Sequence, residues 1–140
     1  MKDTPVKLKQ TIYQHASFSL PLVRRYLPFK AIATSCGDVL NACTGEPVEA
    51  SDYEDEDYTG CTARMVARTD IGSAAVLFEA STDAGTITLA GNLLQVDLDA
   101  ATTAALDFEQ AIGHIEVTRP DGQVQRQYAI DFKLSKAVAL

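Results

Sequence analysis

The sequence predicts an all-β domain, an antiparallel sandwich or barrel, and three observations carry that prediction. In residues 124–134, Val124, Tyr128, Ile130, Phe132 and Leu134 share one parity, while Gln125, Gln127, Asp131 and Lys133 share the other. That period of two marks a half-buried strand. Pro120-Asp121-Gly122 supplies a reversal that brings Ile115 and Val117 back beside it as a closing hairpin. Further short strands recur at intervals of about 8–12 residues with Gly and Asp turns between them, the spacing of an antiparallel β domain. With 140 residues, 46% of them apolar, the chain suits one compact domain that buries roughly two-thirds of its unfolded surface.

Each element follows in order. Residues 1–11 are polar and basic and contain Pro5, so they read as an extended N-terminal arm outside a domain running from 12 to 136. Phe18, Leu20 and Leu22 alternate with Ser17, Ser19 and Pro21, a strand whose proline favours a sheet edge. Residues 29–34 suit a second short strand. From Ser35 to Gly60, Gly37, Gly45 and Pro47 interleave with acids, which predicts one long irregular insertion, a natural contact surface. Ala63, Met65 and Ala67 then face one way along a strand. A turn at 69–72 leads to a strand over Ala74–Glu79 with Val76 and Phe78 on one side. Asp83-Ala84-Gly85 turns the chain into a strand with Ile87 and Leu89 in phase, and Gly91-Asn92 opens another with Leu94, Val96 and Leu98 facing in. Asp99 is placed as an N-cap for an alanine-rich helical turn near 99–108, crossing between sheets with Leu106 and Phe108 packing inward.

The charge distribution says more than the net −7. Residues 1–30 carry six bases against one acid, a net +5, and residues 38–57 carry eight acids and no base, a net −8. Such polarity suits head-to-tail contact with copies of the chain or with charged neighbours, the alternative being a solubilising acidic loop. The candidate contact residues are Lys2, Lys7, Lys9, Arg24 and Arg25 on the basic side and Asp52, Glu54, Asp55, Glu56 and Asp57 on the acidic side. General nucleic-acid binding is not expected of this balance. No apolar run approaches the roughly 18–20 residues that span a bilayer, and no apolar stretch follows the N-terminal lysines as in a signal peptide. The expected setting is therefore a cytosol, or a larger assembly built there.

No motif for chemistry rises above these signals. Cys36, Cys43 and Cys61 are odd in number and lack a nearby histidine, so free thiols are expected rather than a disulfide framework or zinc site. The run 52–58 is rich in oxygen ligands but lacks the order of a calcium loop. An exposed acidic run does not desolvate a carboxyl for acid–base work, and no nucleophile elbow or phosphate-cradling loop is present. The chain is expected not to be an enzyme and to hold no cofactor or metal. Five tyrosines without a tryptophan are expected to pack the domain with their hydroxyls at its rim rather than to build a sugar platform.

Three segments resemble, in the same order, motifs of a widespread group of small tailed-bacteriophage proteins. Tyr58-Thr-Gly-Cys-Thr-Ala-Arg-Met-Val-Ala-Arg68 resembles their D-L-T-G-Y-T-A-R-x-x-V-R strand. Ile87-Thr-Leu, then Val96-Asp-Leu-Asp-Ala-Ala-Thr-Thr-Ala-Ala-Leu106, resembles I-T-L … I-x-L-x-x-A-x-T-A-A-L. Ile115-Glu-Val-Thr-Arg-Pro-Asp-Gly-Gln-Val-Gln-Arg126 resembles the closing Y-D-L-E-V-T-x-P-D-G-x-V-x-R hairpin. The group is similar to the N-terminal domain of baseplate and upper-fibre proteins. The resemblance, over residues 58–134, implies an immunoglobulin-like β-sandwich in a virion near the tail, baseplate or collar, and carries over no catalytic or cofactor residue. Residues 23–57 are longer and more acidic than the group's short D-G-x-P-x connection, and Asp107-Phe-Glu-Gln-Ala-Ile replaces a Pro-x-Gly. The expected function is a virion structural protein, homo-oligomeric within a larger assembly and contacting other virion proteins and itself. The alternative is a carbohydrate-binding or host-surface adhesion module.

Overall fold

The computed structural model describes residues 5–70 and 72–137; the expected contact residue Lys2 lies outside them. Twelve strands and one short helix follow in chain order. They are β1 (Val6–Tyr13), β2 (Phe18–Val23), β3 (Arg25–Tyr26), β4 (Ala31–Ala33), β5 (Val39–Asn41), β6 (Glu54–Asp55), β7 (Thr62–Arg68), β8 (Phe78–Ser81), β9 (Ile87–Ala90), β10 (Leu93–Leu98), α1 (Ala100–Ala104), β11 (Gln110–Thr118) and β12 (Val124–Ser135). The class is all-β. A five-stranded sheet runs β1-β12-β11-β7-β8 and a three-stranded sheet runs β2-β10-β9. Pro21 lies in β2, an edge strand, where its missing N–H costs no ladder bond.

Both sheets turn their apolar parity into one core. Met65, Leu94, Val96, Ile115 and Ile130 are fully enclosed there. The Phe132 ring lies edge-on to Phe18 of the smaller sheet at 6.2 Å and to Phe78 at 5.4 Å, and Phe108 stacks on Phe78 at 6.1 Å. Gly113 makes room for this: a Cβ there would stand 2.8 Å from the Phe132 ring. The crossover α1 is capped by the Asp99 carboxylate, which accepts from the Thr102 amide at 2.7 Å and lets the chain pass from β10 to β11. Hydrogen bonding by the Thr102 side chain, and then by its amide, holds the Asp99 carboxyl below its ordinary pKa.

Five expectations are corrected. The N-terminal arm is not separate: Val6–Thr11 pair with Tyr128–Lys133 as part of β1, and Leu8 packs against the core. β1 pairs with β12 in parallel, so the larger sheet is mixed rather than antiparallel. The segment 35–60 is irregular for most of its length but not throughout: β5 within it pairs with β4 as a hairpin, and β6 within it pairs with β3. The strand expected from Ala74 begins at Phe78, and Val76 lies outside it, exposed. Finally, the parity of 124–134 breaks within the strand. Arg126 faces Glu116 and Tyr128 faces Ile115, so Gln127 is the extra residue of a bulge. Residues 127 and 128 are therefore both buried, and Val124 turns outward, 55% exposed.

Candidate interaction surfaces

The acidic insertion is rooted in a buried ion network. The Glu56 amide donates to the Arg24 carbonyl at 3.0 Å, while the Arg24 amide donates to the Asn92 carbonyl at 3.0 Å, which sets the two side chains together at the edge of the core. Glu56 Oε2 lies 3.4 Å from Arg24 Nε, and Glu56 Oε1 lies 2.8 Å from Arg119 Nη1. Gln127, turned inward by the bulge, donates to Glu56 Oε2 at 3.4 Å and accepts from the Tyr58 hydroxyl at 2.6 Å. Arg119 also donates to Gln125 Oε1 and to the Asp57 carbonyl. The Arg24 guanidinium sits 5.8 Å from the Tyr128 ring centroid.

Electrostatics follow from this enclosure. Burial raises the Tyr58 and Tyr128 phenols, so both stay neutral donors. The bond to Glu56 raises the Arg119 guanidinium further still. With both its oxygens held by cations, Glu56 anchors the root of the insertion to the core. Beside it, the motif turns meet: a Cβ on Gly60, at φ +76°, would stand 2.9 Å from Pro120 Cγ. The Thr59-Gly60 and Pro120-Asp121-Gly122 motifs thus form one packed corner.

Arg24 and Glu56, both expected to face a partner, are 5% and 4% exposed. Their charge is spent inside the chain, which corrects that expectation. Arg25 pairs instead with Asp55 at 3.1 Å and lies 5.8 Å over the Tyr53 ring. Asp52 closes a turn over Ala50–Asp52 by accepting from the Glu49 amide at 2.8 Å. Asp57 accepts from Thr59 through both amide and hydroxyl, which lowers its carboxyl. Glu54 faces solvent and lies by Tyr26, whose phenol is raised by partial burial and by that carboxylate. Lys7 and Lys9 are exposed on β1. Sequence reasoning missed Arg119, Gln125 and Gln127; the bulge that aims the two glutamines inward leaves no trace in the alternation.

The insertion also has no core of its own. No residue from Arg25 to Asp55 is buried, although the stretch holds β3, β4, β5 and β6. Ile32 and Val39 on the hairpin are 50% and 39% exposed. Two-stranded ribbons without a packed face are marginal in water. Cys36, Cys43 and Cys61 are free thiols, and among the described residues no three His, Cys, Asp or Glu side chains gather for a metal. No described helix is long and apolar enough to cross a membrane.

Fold and surface together define an all-β domain that presents a structured, uncored ribbon. No protein-family model and no curated protein matches the chain.

Proposed function

We propose that the chain is a structural subunit of a tailed-phage particle: an immunoglobulin-like β-sandwich at the tail, baseplate or collar that mediates assembly or fibre attachment by protein–protein contact. One observation carries the reading. The ribbon from Arg25 to Asp55 buries no residue, yet it is pinned at its root by the Arg24–Glu56–Arg119 network. A surface held in place without its own core is completed by a neighbour. The motif resemblance adds to this, because its Gly60 and Pro120 turns pack against each other at that same root. The adhesion alternative has less support: Arg25 occupies one face of the exposed Tyr53 ring.

The test is mass spectrometry of purified particles from the phage that encodes the chain, with cross-linking. The chain should be found in stoichiometric amounts, with cross-links from Lys30 and the ribbon to neighbouring subunits. Its absence from the particle, or glycan binding by an unassembled monomer, would overturn the reading.

A further inference from the structure

The outward face of the five-stranded sheet is basic on a chain that is acidic overall. Lys7 and Lys9 of β1, Lys133 and Arg126 of β12, and Arg64 and Arg68 of β7 share this face with only Glu79, Glu116 and Asp131 among the strand acids. Across β7, β11 and β12 the face dips into an open groove of about 330 Å³. Half-buried Val66 and Ile112 line it together with Arg64, Arg68, Arg126 and His114, and two acids, Asp70 and Glu116, stand at the same groove. Arg64 is engaged by Glu79 at 2.8 Å. Arg68 is different: its Nε is buried and meets no acceptor, and Arg126 has no ion pair among the described residues. A buried donor without an acceptor is destabilising, so an incoming carboxylate at Arg68 removes a standing penalty.

We infer that this groove is the docking site for the β4–β5 hairpin of a second copy of the chain, seated through Asp38 and the nearby Glu46, so that copies join head to tail. This rests on the assembly reading above and gives it a specific contact. The complementarity has two parts. Asp38 at the hairpin turn and Glu46 just beyond β5 are exposed and form no ion pair within the described residues, matching the free Arg68 and Arg126. Val39, next to Asp38 and outward on the ribbon, supplies an apolar side chain for Val66 and Ile112. Among the described residues of one chain neither set forms an ion pair, which leaves both open to a second copy. Two different surfaces meet, so the contact is heterologous and builds rings or filaments rather than a closed two-fold dimer.

The experiment uses two variants of the whole chain, followed by light scattering and sedimentation at low salt. Variant one is Arg68→Gln with Arg126→Glu; variant two is Asp38→Lys with Glu46→Lys. Each alone should self-associate about tenfold or more weakly than wild type. Mixed at one to one, they should regain extended, alternating association, because the intact hairpin of variant one meets the intact groove of variant two and the two reversed surfaces also oppose in charge. Combining all four substitutions in one chain should restore extended association, since the reversed charges again oppose. If variant one fails to fold, Arg64→Glu with Arg126→Glu, both exposed on the sheet and lining the groove, takes its place. Wild-type-like association of both variants overturns the docking, as does a mixture that never pairs. A wild type that stays monomeric at every concentration also overturns it. None of these outcomes touches the assembly reading, which is judged by incorporation into the particle.

Discussion

Glu56 is one of eight acids between Asp38 and Asp57, and the fold buries it alone. Its neighbour Asp55 makes an ion pair too, but with side chains 48% and 65% exposed. Solvent screening decides between the two. Glu56→Ala leaves Arg24 and Arg119 enclosed without a carboxylate and should lower unfolding free energy by about 3–5 kcal/mol. Asp55→Ala should cost less than about 1 kcal/mol. Urea titration of both variants measures the difference, and equal losses would show that the buried network is no anchor. His114 makes a separate prediction. Burial and the nearby Arg126 hold its pKa below the ordinary 6.5, against Glu116, which raises it; Arg64, Arg68 and Asp70 line the same groove. An unfolded chain therefore takes up a proton that the folded one resists. The stability this gives is whole above that ordinary pKa and falls away as pH drops below it. Melting temperature followed from pH 8 to pH 5 (roughly the range in which histidine titrates) should decline less steeply in His114→Gln than in wild type.

Individual strands show why some of the fold was legible and some was not. In β7, β10 and β11 one face meets the core along the whole strand, so period two reads through without interruption. β12 changes face at Gln127, and alternation has no sign for an inserted residue: period two puts Gln127 on the polar side, whereas it is 1% exposed. β1 was hidden for another reason. Its lysines alternate with Leu8, Gln10 and Ile12, a weak pattern that yields an apolar face only once β12 lies alongside. The anchor was illegible because its parts, Arg24, Glu56, Arg119 and Gln127, are distant in sequence and polar. For β1 the consequence is measurable. Ile12→Ala should destabilise the domain by about 2–5 kcal/mol, as for any enclosed large aliphatic side chain. A detached arm would give no change in thermal or chemical unfolding, and that result would remove β1 from the sheet.

At the scale of the whole molecule, stability should be divided between a cored body and an uncored ribbon. Backbone bonds in β11 and β12 lie over Ile115, Ile130 and Phe132, all essentially without exposure, and can open only when the core opens. The β4–β5 hairpin covers no buried residue, so its bonds can open while the body stays intact. Between them sits the Glu56 amide, bonded to the Arg24 carbonyl within the ion network. Native-state hydrogen exchange of the isolated chain should therefore show three tiers. Amides of Ile115 and Ile130 should exchange at the global unfolding free energy, Glu56 close behind, and Ala31–Asn41 far faster. Glu56→Ala should then drop the protection of residue 56 towards the hairpin tier, beyond any loss shared by the core. On the proposed assembly reading, incorporation beside a neighbouring subunit should raise the hairpin amides selectively. Protection of Ala31–Asn41 equal to that of Ile115 in the isolated chain would mean the ribbon needs no neighbour, and the structural argument for assembly would lose its basis.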